Sequence, residues 1–263
     1  MGDAIINRRW LMTLAASCCA EAAVAAANPA CVPIASAPYE IRSPGLYCLA
    51  GNLTYATGSG AAILILTDDA TVDLNGFSIA GTGGSGTFAT GVFAQARRGI
   101  TIRNGTIRGF LYGILLGDDG AQGWAQGGGH LLRDLQLVRN YFRGIRVEGR
   151  ADVVERCRIA DTGGTTVFGA GNYAFGVEVF GPGTQILSNV IDRTVAGAGG
   201  EAVGVSVSDG GSGVVVEGNV ISNEALPATA NSFGVWVGGG SSVLLLDNRF
   251  ARLSFGADRK SVV

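Results

Sequence analysis

The sequence predicts an all-β solenoid, a parallel β-helix, and two recurring patterns with a near-constant interval carry that prediction. In the first pattern an apolar residue is followed, after four others, by Ile, Leu or Phe. It occurs at Leu74 to Ile79, Ile102 to Ile107, Leu132 to Leu137, Val154 to Ile159, Ile186 to Ile191, Val216 to Ile221 and Leu245 to Phe250. The closing residues, at 79, 107, 137, 159, 191, 221 and 250, lie 28, 30, 22, 32, 30 and 29 positions apart. The second pattern, Gly-apolar-x-apolar, opens at Gly91, Gly113, Gly144, Gly176, Gly204 and Gly234. Each repeat therefore holds two short strands of period two, a tight turn and a loop of variable length. Such a unit cannot bury its apolar face alone, so successive units must stack. The 22-residue interval is one bare coil and longer intervals carry inserted loops, giving about seven or eight coils.

Stacking in register makes columns, and the columns can be read. Three residues into each segment stand Phe77, Gly105, Leu135, Cys157, Asn189, Asn219 and Asn248. The three asparagines predict a ladder of side-chain amides bonded from rung to rung. Cys157 shares that inward column and reads as a buried structural thiol.

Thr71-Val72-Asp73-Leu74-Asn75-Gly76-Phe77-Ser78-Ile79 and Ile100-Thr101-Ile102-Arg103-Asn104-Gly105-Thr106-Ile107 resemble the repeats of exported, right-handed parallel β-helix proteins of the pectate-lyase-like superfamily. Pro44-Gly45-Leu46-Tyr47-Cys48-Leu49 is similar to the N-terminal capping strand of bacterial members. The resemblance covers roughly residues 31 to 253 and concerns mostly core positions. It implies a right-handed coil. Where a member is enzymatic, it implies a polysaccharide lyase, a glycoside hydrolase or an epimerase, but fold analogy alone does not establish activity.

Composition removes other classes. Glycine accounts for 43 of 263 residues, roughly 16% against an average of about 7%, while proline is scarce at 6. A net charge of −2 with 15% charged residues offers no basic footprint for nucleic acid. Residues 1–27 read as a signal peptide. Arg8 and Arg9 form its positive region, Trp10 to Ala20 its apolar stretch, and Ala25-Ala26-Ala27 its cleavage site. Asn7-Arg8-Arg9-Trp10-Leu11-Met12 fits a twin-arginine signal and also an ordinary secretory signal, and the expected location is periplasmic or secreted. Glu21 interrupts the apolar run, so no membrane span is expected. The β-helix domain then occupies residues 28–263. Cys31 and Cys48 flank a compact stretch, and a disulfide between them would tie down an N-terminal cap. At the other end, either Phe255 and the tail fold over the last rung or another subunit covers it.

Alternation points the intervening strand residues outward. One outward column reads Phe93, Leu115, Arg146, Glu178, Ser206, Trp236; the next reads Gln95, Gly117, Glu148, Phe180, Ser208, Gly238. Arg146, Glu148 and Glu178 thus gather into a charged cluster with Phe93, Phe180 and Trp236 on the same face. Carboxylates, a guanidinium and aromatic surfaces suit a sugar ring, by hydrogen bonding and stacking. Glu148, Glu178 and Arg146 are the leading catalytic candidates. The aromatic residues, with Trp124 from an inserted loop, are the candidates for substrate binding. Glycine-rich loops at 80–90, 120–129, 163–175 and 223–233 could wall the face. Gly117-Asp118-Asp119-Gly120 looks like the paired-aspartate motif of polygalacturonase-type hydrolases, although its other elements are missing. Asp118 and Asp119 also suit a solvated turn. Calcium would need only their oxygens and backbone carbonyls, whereas one histidine and few thiols predict no zinc or copper site and no cofactor. His130 reads as a structural histidine near Asp152. The expected function is binding or processing of a polysaccharide on this face; the alternative is a noncatalytic interaction scaffold.

Overall fold

Within each coil the chain turns three corners, and the sequence marks each with a residue in the left-handed region. One corner runs through Asp69, Gly99, Gly129, Ala151, Gly183, Gly213 and Ser242, with φ between 53° and 71°. A second runs through Gly76, Asn104, Asp134, Arg156, Ser188, Gly218 and Asp247, and a third through Gly109, Arg139, Asp161, Arg193 and Arg252. Strands of period two lie between these corners, each paired in parallel with the same strand one coil on. The computed structural model describes residues 31–118, 127–168, 173–196, 200–223, 231–239 and 242–259.

These strands form two sheets, one of fifteen strands and one of nine. The fifteen-stranded sheet contains the seven predicted segments and bends at the second corner. The nine-stranded sheet contains the six glycine-led strands and three that lack the pattern: Tyr39–Ile41, Ala61–Ile65 and Phe255–Arg259. Between the sheets lies one apolar core, built from columns such as Val92, Ile114, Ile145, Val177, Val205 and Val235, all fully buried. Cys31–Val263 is one compact unit. The expected signal segment lies outside the described residues.

The column glycines have a steric cause. A Cβ on Gly144 would lie 2.6 Å from the carbonyl oxygen of Gly176 and 2.6 Å from Cγ2 of Ile159. Gly176 meets Gly204 and Ile191 in the same way, at 2.6 Å each. The nine-stranded sheet here passes so close to its neighbours that only glycine fits.

The asparagine ladder is present. Asn189 donates through Nδ2 to Oδ1 of Asn219 at 3.0 Å, and Asn219 donates likewise to Asn248 at 2.9 Å. The backbone N–H of Cys157 donates to Oδ1 of Asn189 at 2.9 Å, placing the thiol at the ladder's head. Burial pushes that thiol up to about 12. Cys31 and Cys48 are disulfide-bonded. Their segment forms the first strands of the coil itself, with Val32–Ile34 paired to Gly45–Leu49.

Two details differ from the repeat pattern. Val72, not Leu74, pairs with Ile102, because Asn75 and Gly76 insert a turn into that rung. Leu74 instead fills the space that Gly105 leaves open in the next coil. The described part of the tail does not fold over the last rung: Phe255–Arg259 adds a further parallel strand beside Ser232–Val237, and the Phe255 ring stacks on Phe233 at 5.0 Å.

Candidate functional site

The outward column exists as one continuous row. Leu64 pairs with Phe93, Phe93 with Leu115, Leu115 with Arg146, Arg146 with Glu178, Glu178 with Ser206, and Ser206 with Trp236. Its centre is charged. Arg146 donates through Nε to Glu148 and through Nη1 to Oε2 of Glu178 at 3.1 Å. The Arg146 guanidinium lies 4.4 Å from the Phe180 ring centroid, a cation–π contact. The second oxygen of Glu148 accepts from the backbone N–H of Asp118 at 2.9 Å. Asp118 itself is buried and accepts from the N–H of Gly127 at 3.4 Å.

Arg143 joins this cluster although the alternation does not single it out. It donates to both oxygens of Glu178, through Nε and, at 2.9 Å, through Nη2. Its guanidinium rests 3.8 Å from the ring centroid of Phe142, 4.8 Å from Phe175 and 5.4 Å from Tyr112. The position just before each column glycine forms a further row: Thr90, Tyr112, Arg143, Phe175, Val203, Phe233 and Phe255. That row is visible in the sequence once strands are started one residue earlier. Its members Phe175, Val203 and Phe233 form a second apolar cluster with Leu111 and Phe142, against which Tyr112 and Trp236 pack.

Of the predicted aromatic residues that are described, Phe180 alone meets the charged cluster directly. Trp236 lies two rungs beyond Glu178, with its indole folded across Gly238. Phe93 lies two rungs from Arg146 in the other direction, in the floor of an apolar hollow of about 360 Å³ with Leu64 and Leu115. Phe88 forms the hollow's outer wall and is 59% exposed. Of the expected wall loops, 163–168 lies along the face, where Phe168 packs 4.7 Å from Phe142. Its Thr166 N–H donates to the carbonyl of Ser85 at 2.9 Å, joining it to the loop that carries Phe88. Phe233 belongs to a strand rather than a loop. Asp119 and Trp124 lie outside the described residues.

Two other expectations concern buried or coordinating groups. His130 and Asp152 stack in an inward column. The backbone N–H of His130 donates to Oδ1 of Asp152 at 2.9 Å, and Nδ1 of His130 accepts from the N–H of Ile100 at 3.2 Å. Burial depresses the imidazole to about 4 and raises the carboxyl to about 7. Among the described residues, no three His, Cys, Asp or Glu side chains are grouped to hold a metal ion. Among the same residues, no helix is long and apolar enough to cross a membrane.

Comparison with known proteins decides the family. Residues 61–257 match the family described as right handed beta helix region. The chain belongs to that right-handed β-helix family. No curated protein matches it. Among solved structures, a mutant tailspike protein of E. coli bacteriophage HK620 in complex with a pentasaccharide is similar, at 14% identity and a TM-score of 0.37. The match covers 89% of this β-helix chain and 57% of the tailspike chain.

Proposed function

We propose that the outward face of the nine-stranded sheet binds a polysaccharide outside the cytoplasm. The observation that supports this most is the unbroken row from Phe93 to Trp236, in which apolar, charged, hydroxyl and aromatic positions succeed one another. Five rises of about 4.8 Å make a strip of roughly 24 Å, suited to an extended chain lying along the solenoid axis. Arg146 is the polar anchor. Glu148, Glu178 and Phe180 fix its guanidinium, and its Nη2 makes no hydrogen bond among the described residues. Trp236 and Phe93 supply apolar faces for sugar rings at either end.

Binding fits this geometry better than bond cleavage. Glycosidic chemistry requires two carboxyl groups that reach the sugar, one of them delivering a proton. Each of the four oxygens of Glu148 and Glu178 already accepts a hydrogen bond from within the chain. Glu178 is only 3% exposed. The carboxylates therefore position Arg146 and the sheet face. The test is a panel of uronans and neutral glycans, scored by retardation in affinity gels and by product release. Retardation without products, lost in Arg146→Ala, is expected. Failure of every glycan to retard the protein would leave the interaction-scaffold reading in its place.

A further inference from the structure

We infer that the hollow beside Phe88 is a subsite for the apolar C6 substituent of a neutral sugar, a 6-deoxyhexose unit, and that the face disfavours uronans. This rests on the proposed glycan-binding face and specifies its ligand. The hollow lies on the same row as Arg146, one rung away through Leu115. Its lining is Leu64, Phe93 and Leu115 below and Phe88, Thr90 and the Gly60-Ala61 backbone around them, with no charged side chain. A volume of about 360 Å³ falls at the small end of ligand pockets, enough for one ring or its substituent and not for an oligosaccharide.

The hollow is built into the fold rather than left by a loose loop. The Phe88 N–H donates to the carbonyl of Gly58 at 2.8 Å and the Thr90 N–H to that of Gly60 at 2.8 Å. The Ala89 N–H donates to Oγ1 of Thr87 at 3.1 Å. Phe88 is thus held at the rim by bonded neighbours, with an exposed ring that faces no partner in the core. A large exposed aromatic on a pinned backbone over an apolar floor is the arrangement that removes a methyl group from water.

The charge pattern excludes the acidic alternative. A carboxylate in this hollow would lose its water and find no cation. The guanidiniums of Arg146, on the same row, and of Arg143, on the adjacent row, are already engaged by Glu148 and Glu178. A uronate on this face would meet only the Nη2 edge of Arg146, whose charge Glu148 and Glu178 already offset. A C6 hydroxyl would be tolerated less well than a methyl, because no side-chain partner other than Thr90 lines the hollow.

The experiment uses the full chain and two matched series of methyl glycosides, with galacto and gluco configuration. Within each series the members differ only at C6: methyl, hydroxymethyl or carboxylate. Affinities are measured by saturation-transfer NMR and titration. In at least one series the 6-deoxy sugar should bind about fivefold tighter than the hexose, in line with burying one methyl group. The uronate should bind weakest, and the strongest saturation should fall on the C6 methyl protons. Phe88→Ala should abolish the preference without lowering the melting temperature, since its ring is exposed. Equal or tighter binding of the uronate overturns the inference, as does a preference that survives Phe88→Ala. If glycan polymers are retarded through Arg146 while no C6 preference exists, only this inference fails. If neither polymers nor glycosides bind, the binding face itself is wrong.

Discussion

Arg143 grips Glu178 by both carboxylate oxygens, although the two are not cross-strand partners: Arg143 pairs with Phe175, and Glu178 with Arg146. The pair spans a rung and three positions because Arg143 is walled by Phe142, Phe175 and Tyr112 and has one direction left in which to reach a carboxylate. Removing one member of a buried pair leaves the other uncompensated. Glu178→Ala should therefore destabilise the protein by about 3–5 kcal/mol, read as a lowered denaturant midpoint. A loss below about 1 kcal/mol would make this an ordinary surface pair.

The glycine column predicts a position-dependent response to a single methyl group. Gly144→Ala places a Cβ 2.6 Å from the backbone of Gly176 and from Ile159, neither of which can swing away. A loss of about 3 kcal/mol is expected in chemical unfolding. Gly51→Ala and Gly58→Ala, where a Cβ meets nothing within 4 Å, should lie near zero. Similar effects at all three positions would mean that the close approach is relieved in solution.

The asparagine ladder should weaken most at its middle. Asn219 is fully buried, donates to the carbonyl of Ile186 at 2.8 Å and to Asn248, and accepts twice from Asn189. Asn219→Ala leaves several buried groups unpaired and should cost about 2–4 kcal/mol. Asn248→Ala, on the half-exposed last rung, should cost less, as water replaces its partners. Thermal unfolding of both variants checks the order, and a reversed order contradicts it.

His130 and Asp152 make opposing contributions to the pH dependence of stability. The Asp152 carboxyl, raised to about 7, keeps a proton in the folded state that the unfolded chain releases above its ordinary 3.8. Its contribution falls as pH rises through that window. The His130 imidazole, lowered to about 4, stays neutral where the unfolded chain binds a proton below 6.5, so its contribution rises with pH between those values. The two slopes offset each other between about pH 4 and 6.5. Asp134 and Asp161, held below the usual carboxylate range by Arg156 and Arg193, act only at lower pH. Urea midpoints should be nearly flat across the window in the parent. In Asp152→Asn they should increase with pH, and in His130→Asn they should decrease. Parallel slopes in the two variants would refute the assignment.

The solenoid was legible because its columns obey one rule in every coil. Asn189, Asn219 and Asn248 share a register that counting residues recovers, and the Arg146–Glu178 pairing follows from the same count. Local exceptions were not legible. The Asn75-Gly76 insertion moves the partner of Ile102 from Leu74 to Val72 while both stay buried, so the apolar pattern does not show it. Arg143 escaped because its outward row precedes the glycine that seemed to open each strand. The rungs at Tyr39–Ile41 and Ala61–Ile65 lack that glycine altogether. The hollow depends on where a loop places Phe88, and that placement comes from backbone bonds to Gly58 and Gly60 that no side-chain pattern encodes.

If the row from Phe93 to Trp236 binds a glycan, its own tryptophan should report the ligand. The measurement is the fluorescence of Trp236 in a full-length variant carrying Trp10→Phe and Trp124→Phe. Titration with a glycan that retards the protein should shift this emission and saturate at the concentration that saturates retardation. Arg146→Ala should weaken both together. A glycan that binds without changing Trp236 emission, and with unaltered affinity in Arg146→Ala, would contradict the claim.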